Sequence, residues 1–121
     1  MSTSPRPIYV YVAGPLNTGE LDEAQHVHDT LNAATLVRDL GYYPFVPHLC
    51  VLWQIHSPRN REDWLDYDFR WLEKCDVLYR LPGKSQGADA EVAHAEKLGI
   101  PVVHDGNALG DVAKMLREED S

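Results

Sequence analysis

The sequence predicts an α/β domain, a three-layer sandwich with a four- or five-stranded parallel sheet covered by helices on both faces. Two observations carry this. Short apolar, β-branched runs alternate along the chain with segments of three-to-four-residue periodicity, and such alternation is the mark of a parallel sheet. Glycine or proline closes most of these segments, so each is a short, separate element. The 121 residues, 44% hydrophobic and 25% charged, are read as one domain over 1–121, large enough for a core without staples.

Ile8 to Ala13 (IYVYVA) reads as a buried first strand, broken by Gly14 and Pro15. Leu21, Ala24, Val27, Leu31, Ala34 and Val37 then recur at helical spacing, and Gly41 closes that helix. Tyr43 to Val46 is a second strand, and Pro44 inside it argues for an edge position. Residues 48–60 show no clean period and read as an irregular loop with at most one helical turn. Asn60 suits the cap of a helix that opens with Glu62 and Asp63 and runs to about Lys74. Asp76 to Leu81 is a third strand, Pro82 to Gln86 a polar loop, and Ala88 to Leu98 a helix stopped by Gly99. Ile100 to Val103 makes a fourth strand, and Leu109, Val112 and Leu116 mark a last helix. There is no internal repeat, linker or low-complexity segment.

Charge narrows the partners. Eleven Lys and Arg stand against nineteen Asp and Glu, a net charge of −8 with neutral His. Duplex nucleic acid and anionic membranes should repel such a chain, while one small anion can still be held in a pocket of aimed amides and cations. No apolar run approaches the roughly 20 residues of a membrane helix. Met1 to Pro7 lack the apolar stretch of a signal peptide, so a cytoplasmic location is expected. Cys50 and Cys75 make no disulfide framework.

Ligands of parallel sheets bind beyond the carboxyl ends of the strands. The candidate contacts are therefore Gly14, Pro15 and Asn17 after the first strand, His48 after the second, and Ser85 and Gly87 after the third. The loop Gly83-Lys84-Ser85-Gln86-Gly87 offers small residues, a hydroxyl and a cation at a helix start, which suits a phosphate; it also reads as an ordinary turn. Two acids interrupt apolar stripes: Asp68 lies between Leu65 and Leu72, and Glu91 on the stripe of Ala88, Ala95 and Leu98. An inward carboxylate needs a partner or a purpose, and a structural bond to an amide or Arg stands as the alternative for each. Glu91 falls near the start of its helix, whose positive end favours the ionised form, as a carboxylate nucleophile requires. With Asp68 it makes the two-carboxylate set of glycoside cleavage. Six histidines show no metal-site spacing; His26 and His28 face different ways. Trp53, Trp64 and Trp71 read as core or interface residues, although Trp64 and Trp71 share a face with Asp68 and are alternatives for walling a base-sized pocket.

Several segments, in order, carry a resemblance: Tyr9-Val10-Tyr11-Val12-Ala13-Gly14-Pro15, Asp68-Phe69-Arg70-Trp71, Cys75-Asp76-Val77, Ser85-Gln86-Gly87-Ala88-Asp89-Ala90-Glu91 and Gly99-Ile100-Pro101-Val102. Together they resemble the nucleoside 2-deoxyribosyltransferase-like superfamily, which includes the 2'-deoxynucleoside 5'-phosphate N-hydrolases. The resemblance implies a Rossmann-like (flavodoxin-like) fold and cleavage of an N-glycosidic bond, with no cofactor or metal. It implies Glu91 as the nucleophile on the anomeric carbon, Asp68 as the acid that protonates the base or holds the sugar, and Tyr11 as a tyrosine beside the nucleophile. Ser85 matches the 5'-phosphate serine of the hydrolases, where transferases tend to carry an acid. The loop after the first strand differs: Pro15, Leu16 and Asn17 stand where the hydrolases are more basic and Gly-rich. A homo-oligomer is implied. The expectation is a hydrolase of a (deoxy)nucleoside 5'-monophosphate, with a nucleoside 2-deoxyribosyltransferase and a non-catalytic nucleotide-binding module as alternatives.

Overall fold

The computed structural model describes residues 5–15 and 23–119. Four strands, β1 (Tyr9–Ala13), β2 (Tyr43–Phe45), β3 (Val77–Arg80) and β4 (Val102–Val103), form one parallel sheet in the order β2-β1-β3-β4. Five α-helices surround it: α1 (Glu23–Asp39), α2 (Cys50–His56), α3 (Arg61–Leu72), α4 (Gln86–Leu98) and α5 (Gly106–Glu119). The strand count is the lower of the two expected. Pro44 sits in β2, which pairs only with β1 and so forms an edge; proline there costs no ladder bond on the open side.

Alternation along the central strands sorts the core into two layers. Ile8, Val10 and Val12 face one way, with Val77, Tyr79, Val37 of α1, and Leu109 and Ala113 of α5. Tyr11 and Ala13 face the other way, with Leu78, Leu72 of α3, and Ala88 and Ala95 of α4. The buried β1 side chains thus divide between the two layers, and Tyr11 belongs to the layer of α3 and α4. The chain moves from β1 to β2 in one direction across the sheet and from β3 to β4 in the other, so a crevice opens above the carboxyl ends of β1 and β3.

Local chemistry explains the boundaries. Gly41 and Gly99 take positive φ (98° and 77°) just past α1 and α4, a conformation that glycine adopts without steric cost. Asn60 caps α3 by accepting the Asp63 amide at 2.8 Å. Asn60→Ala should therefore lower stability by about 1 kcal/mol, read as a fall in denaturation midpoint with an unchanged denaturant slope.

Three expectations need correction. Residues 48–60 hold more order than a loop with one turn: a 3₁₀ turn (Pro47–Leu49) runs into the seven-residue α2. The apolar period is missing because apolar residues of α2 face outward: Leu52, Trp53 and Ile55 are exposed. On α1 the inward stripe runs through Thr30, Ala34 and Val37, and Leu31 points outward. Thr30 is tolerated inside because its hydroxyl donates to the His26 carbonyl at 2.8 Å. Leu98, placed on the inward stripe of α4, is likewise exposed at the helix end. Leu21 lies outside the described residues. No helix among the described residues is long and apolar enough to cross a membrane.

Candidate active site

An open cleft of about 1400 Å³ occupies the crevice above β1 and β3. Gly14, His48, Asp68, Ser85, Gly87 and Glu91 line it, so six of the candidate residues converge from four separate segments. Pro15 lines a smaller adjoining cavity of about 370 Å³. Asn17 lies outside the described residues.

Tyr11 does not itself line the cleft; it lies behind Glu91, which does. Its side chain is fully buried in mid-β1, and its hydroxyl donates to Oε2 of Glu91. Burial, then the neighbouring charges of Glu91 and Asp68, push the phenol far above its usual range, so Tyr11 acts as a fixed donor. Glu91 is only 6% exposed. The expectation of an ionised Glu91 favoured by the helix end is overturned. It is the sixth residue of α4, past the turn where the dipole acts. Burial pushes its carboxyl up to about 8; the Tyr11 hydrogen bond and Arg80 oppose this, and the charge of Asp68 adds to it.

Asp68 projects from α3, and burial alone pushes it up to about 7. Its Oδ1 is buried with no hydrogen-bond partner among the described residues. No Arg or amide of the described residues bonds that oxygen. The two carboxyls are close enough for the charge of one to raise the other, and the pair therefore keeps a proton into the neutral range.

His48 follows β2 on the 3₁₀ turn and is 4% exposed. Its Nε2 lies 2.9 Å from the Pro15 carbonyl, so Nε2 carries the proton and donates. Nδ1 then presents a lone pair with no partner among the described residues. Burial holds the ring below its usual pKa and hence neutral, although the Pro15 and Gly14 carbonyls oppose this.

The loop after β3 is built to hold its shape. Ser85 caps α4, its Oγ accepting the Ala88 amide at 3.0 Å, which leaves the hydroxyl proton for a ligand. Gly83 takes φ +114°, and a Cβ there would come within 2.7 Å of Pro15 Cγ, so the loop seats on the segment after β1 only with glycine. Arg80 braces the loop by donating to the carbonyls of Leu81 and Gly83 and by pairing with Asp89 at 3.1 Å.

Trp64 lines the cleft, and its Nε1 donates to Gln54 Oε1. Trp53 and Tyr67 meet it edge-on with ring centres 5.3 and 5.8 Å away. The core reading of the tryptophans fails for two of them: Trp53 and Trp71 are each 45% exposed, and Trp71 stacks on Phe45, away from the cleft lining. Gln54, Arg59, Arg61 and Arg80 also line the cleft and were not anticipated. A signal existed for two of them. Arg80 ends an apolar strand where ligands of such sheets bind, and Arg61 stands in the first turn of α3, where a cation opposes the helix dipole. No group of three or more His, Cys, Asp or Glu among the described residues could hold a metal. Chemically, the arrangement offers a carboxylate steadied by a buried phenol, a second carboxyl able to carry a proton, and an anion cradle.

A sequence-family profile described as a domain of unknown function (DUF4406) matches residues 8–104. No curated protein matches the chain. Among solved structures, it is similar to a 2-deoxyribosyltransferase from the psychrotolerant bacterium Bacillus psychrosaccharolyticus, at TM-score 0.57 and 21% identity over 78% of this chain and 69% of that one. It is similar also to a 2-desoxiribosyltransferase from Leishmania mexicana, at TM-score 0.58 and 18% identity over 81% of this chain and 63% of that one. The expected resemblance therefore holds at the level of the fold.

Proposed function

The chain belongs to the DUF4406 family, and on that footing we propose that it hydrolyses the N-glycosidic bond of a (deoxy)nucleoside 5'-monophosphate. The observation that carries this reading is the buried Tyr11–Glu91 hydrogen bond with Asp68 alongside, at the floor of a cleft whose rim is an anion cradle.

Glu91, steadied through Oε2 by Tyr11, attacks the anomeric carbon. A carbon–oxygen ester bond forms as the carbon–nitrogen bond breaks, and the electron pair leaves with the base. Asp68 gives its proton to that base. Water then attacks the same carbon, the ester opens, and Glu91 regains its carboxylate while Asp68 takes the proton from water. The sum is nucleotide plus water to free base plus sugar phosphate. Ser85 and the α4 amides hold the phosphate, and the bare Nδ1 of His48 accepts from a ligand hydroxyl or amine.

Tyr11→Phe removes the donor and leaves Glu91 Oε2 without it. The cost of about 1–3 kcal/mol for a buried unpaired group corresponds to roughly 10–100-fold in kcat/KM. The hydrogen bond lowers the Glu91 pKa, so the variant's pH optimum should also move upward; an unmoved optimum would assign Tyr11 to packing alone.

The test of the function is chromatography for released base after incubation with a panel of nucleoside 5'-monophosphates. Base release by wild type supports hydrolysis. Equal ligand affinity in wild type and Glu91→Ala, with no base from either, would instead make the chain a binding module. A second reading, transfer of the sugar to another base, draws on the two 2-deoxyribosyltransferases that share the fold. Adding a free acceptor base and observing exchange distinguishes it from hydrolysis.

A further inference from the structure

We propose that the cleft takes a nucleotide whose 5' end carries two phosphates in series. Lys84 and the start of α4 hold the phosphate nearer the sugar, and Arg59 and Arg61 hold the one beyond it. This rests on the preceding reading for the placement of the sugar at Glu91, and extends it to the substrate class.

Three observations converge. The first is position. Arg61 Nη1 lies 3.4 Å from Oε1 of Gln86, the residue after the Ser85 cap, so its guanidinium stands directly beyond the phosphate cradle. Arg59 is presented by a braced turn: its backbone amide donates to Gln54 Oε1 at 2.9 Å, and the same oxygen accepts from Trp64 Nε1.

The second is unspent charge. Among the described residues Arg59 pairs only with Asp63, at 3.4 Å, and both side chains are more than half exposed. Such pairs contribute about 0–1 kcal/mol and yield readily to a better anion. Arg61 and Lys84 have no ion pair among the described residues.

The third is size and balance. A volume of about 1400 Å³ exceeds the roughly 300–1,000 Å³ of ordinary small-ligand pockets. One phosphate carries about two negative charges, which Lys84 and the α4 amides can meet without either arginine.

The experiment compares kcat/KM for base release from a nucleoside 5'-monophosphate and the matching 5'-diphosphate, in wild type, Lys84→Ala and Arg59→Ala/Arg61→Ala. The diphosphate should be favoured about tenfold or more in wild type, in line with a gain of roughly 1.4 kcal/mol per decade. The double arginine variant should slow the diphosphate at least about tenfold more than the monophosphate, whereas Lys84→Ala should slow both. No preference, or equal losses on both substrates in the arginine variant, overturns the proposal. If neither nucleotide releases base, the hydrolase reading fails, and the affinities of inorganic pyrophosphate and phosphate decide the subsite. Tighter pyrophosphate binding that is lost in the arginine variant sustains it; equal affinities overturn it.

Discussion

Glu91→Gln should lower base release by roughly 10³-fold or more and, above neutral pH, make the fold more stable. Loss of rate follows from chemistry: the amide keeps an oxygen for the Tyr11 hydroxyl but is no nucleophile toward the anomeric carbon. Gain of stability follows from linkage. Burial raises the carboxyl in the folded chain from 4.5 to about 8. Below pH 4 the group is protonated in both states and the substitution is neutral. As pH rises toward 8 the unfolded chain ionises freely and the folded chain does not, so wild type loses stability that the variant keeps. Denaturant midpoints at pH 4 and pH 8.5, alongside a base-release assay, read both effects. A variant that is inactive and less stable at both pH values would mark Glu91 as structural.

Asp68→Asn should cost about 10²–10⁴ in rate, the usual contribution of a placed acid, and should reshape the pH profile. In wild type the pair titrates at about 7 and about 8, and the active form holds one proton on Asp68 with Glu91 ionised, the less populated of the two singly protonated arrangements because Glu91 has the higher pKa. The rate therefore peaks between these values. It falls in acid because both carboxyls are protonated and in alkali because neither is. Asparagine removes the alkaline limb. It also lowers the remaining ionisation, because the repulsion that Asp68 exerts on Glu91 is gone. Stability rises here as well: with a carboxyl moved from 3.8 to about 7, the penalty lifted above pH 7 is on the order of 4 kcal/mol, and it vanishes near pH 4. A profile with both limbs intact in Asp68→Asn would remove this residue from proton transfer.

The sheet was legible in the sequence because its strands are short apolar runs bounded by Gly and Pro, and because Pro44 could lie only at an edge. The cleft was legible through two acids placed where leucines would otherwise sit, at positions 68 and 91. Three features were hidden. α2 carries exposed apolar residues, Leu52, Trp53 and Ile55, so no inward period marks it. The ionisation of Glu91 depends on burial by the surrounding layers, which outweighs a helix end six residues away. Arg59 and Arg61 read as ordinary surface charge until Gln54 and Gln86, distant or on another helix, are seen to hold them at the cleft.

The covalent step is tested most directly by intact-protein mass spectrometry after an acid quench of enzyme mixed with a cleavable nucleoside 5'-monophosphate. A mass gain equal to one sugar phosphate, mapped to the peptide bearing Glu91 and absent from Glu91→Gln, is the expected result. Base release that proceeds undiminished in Glu91→Gln, with no adduct on either protein, would contradict it.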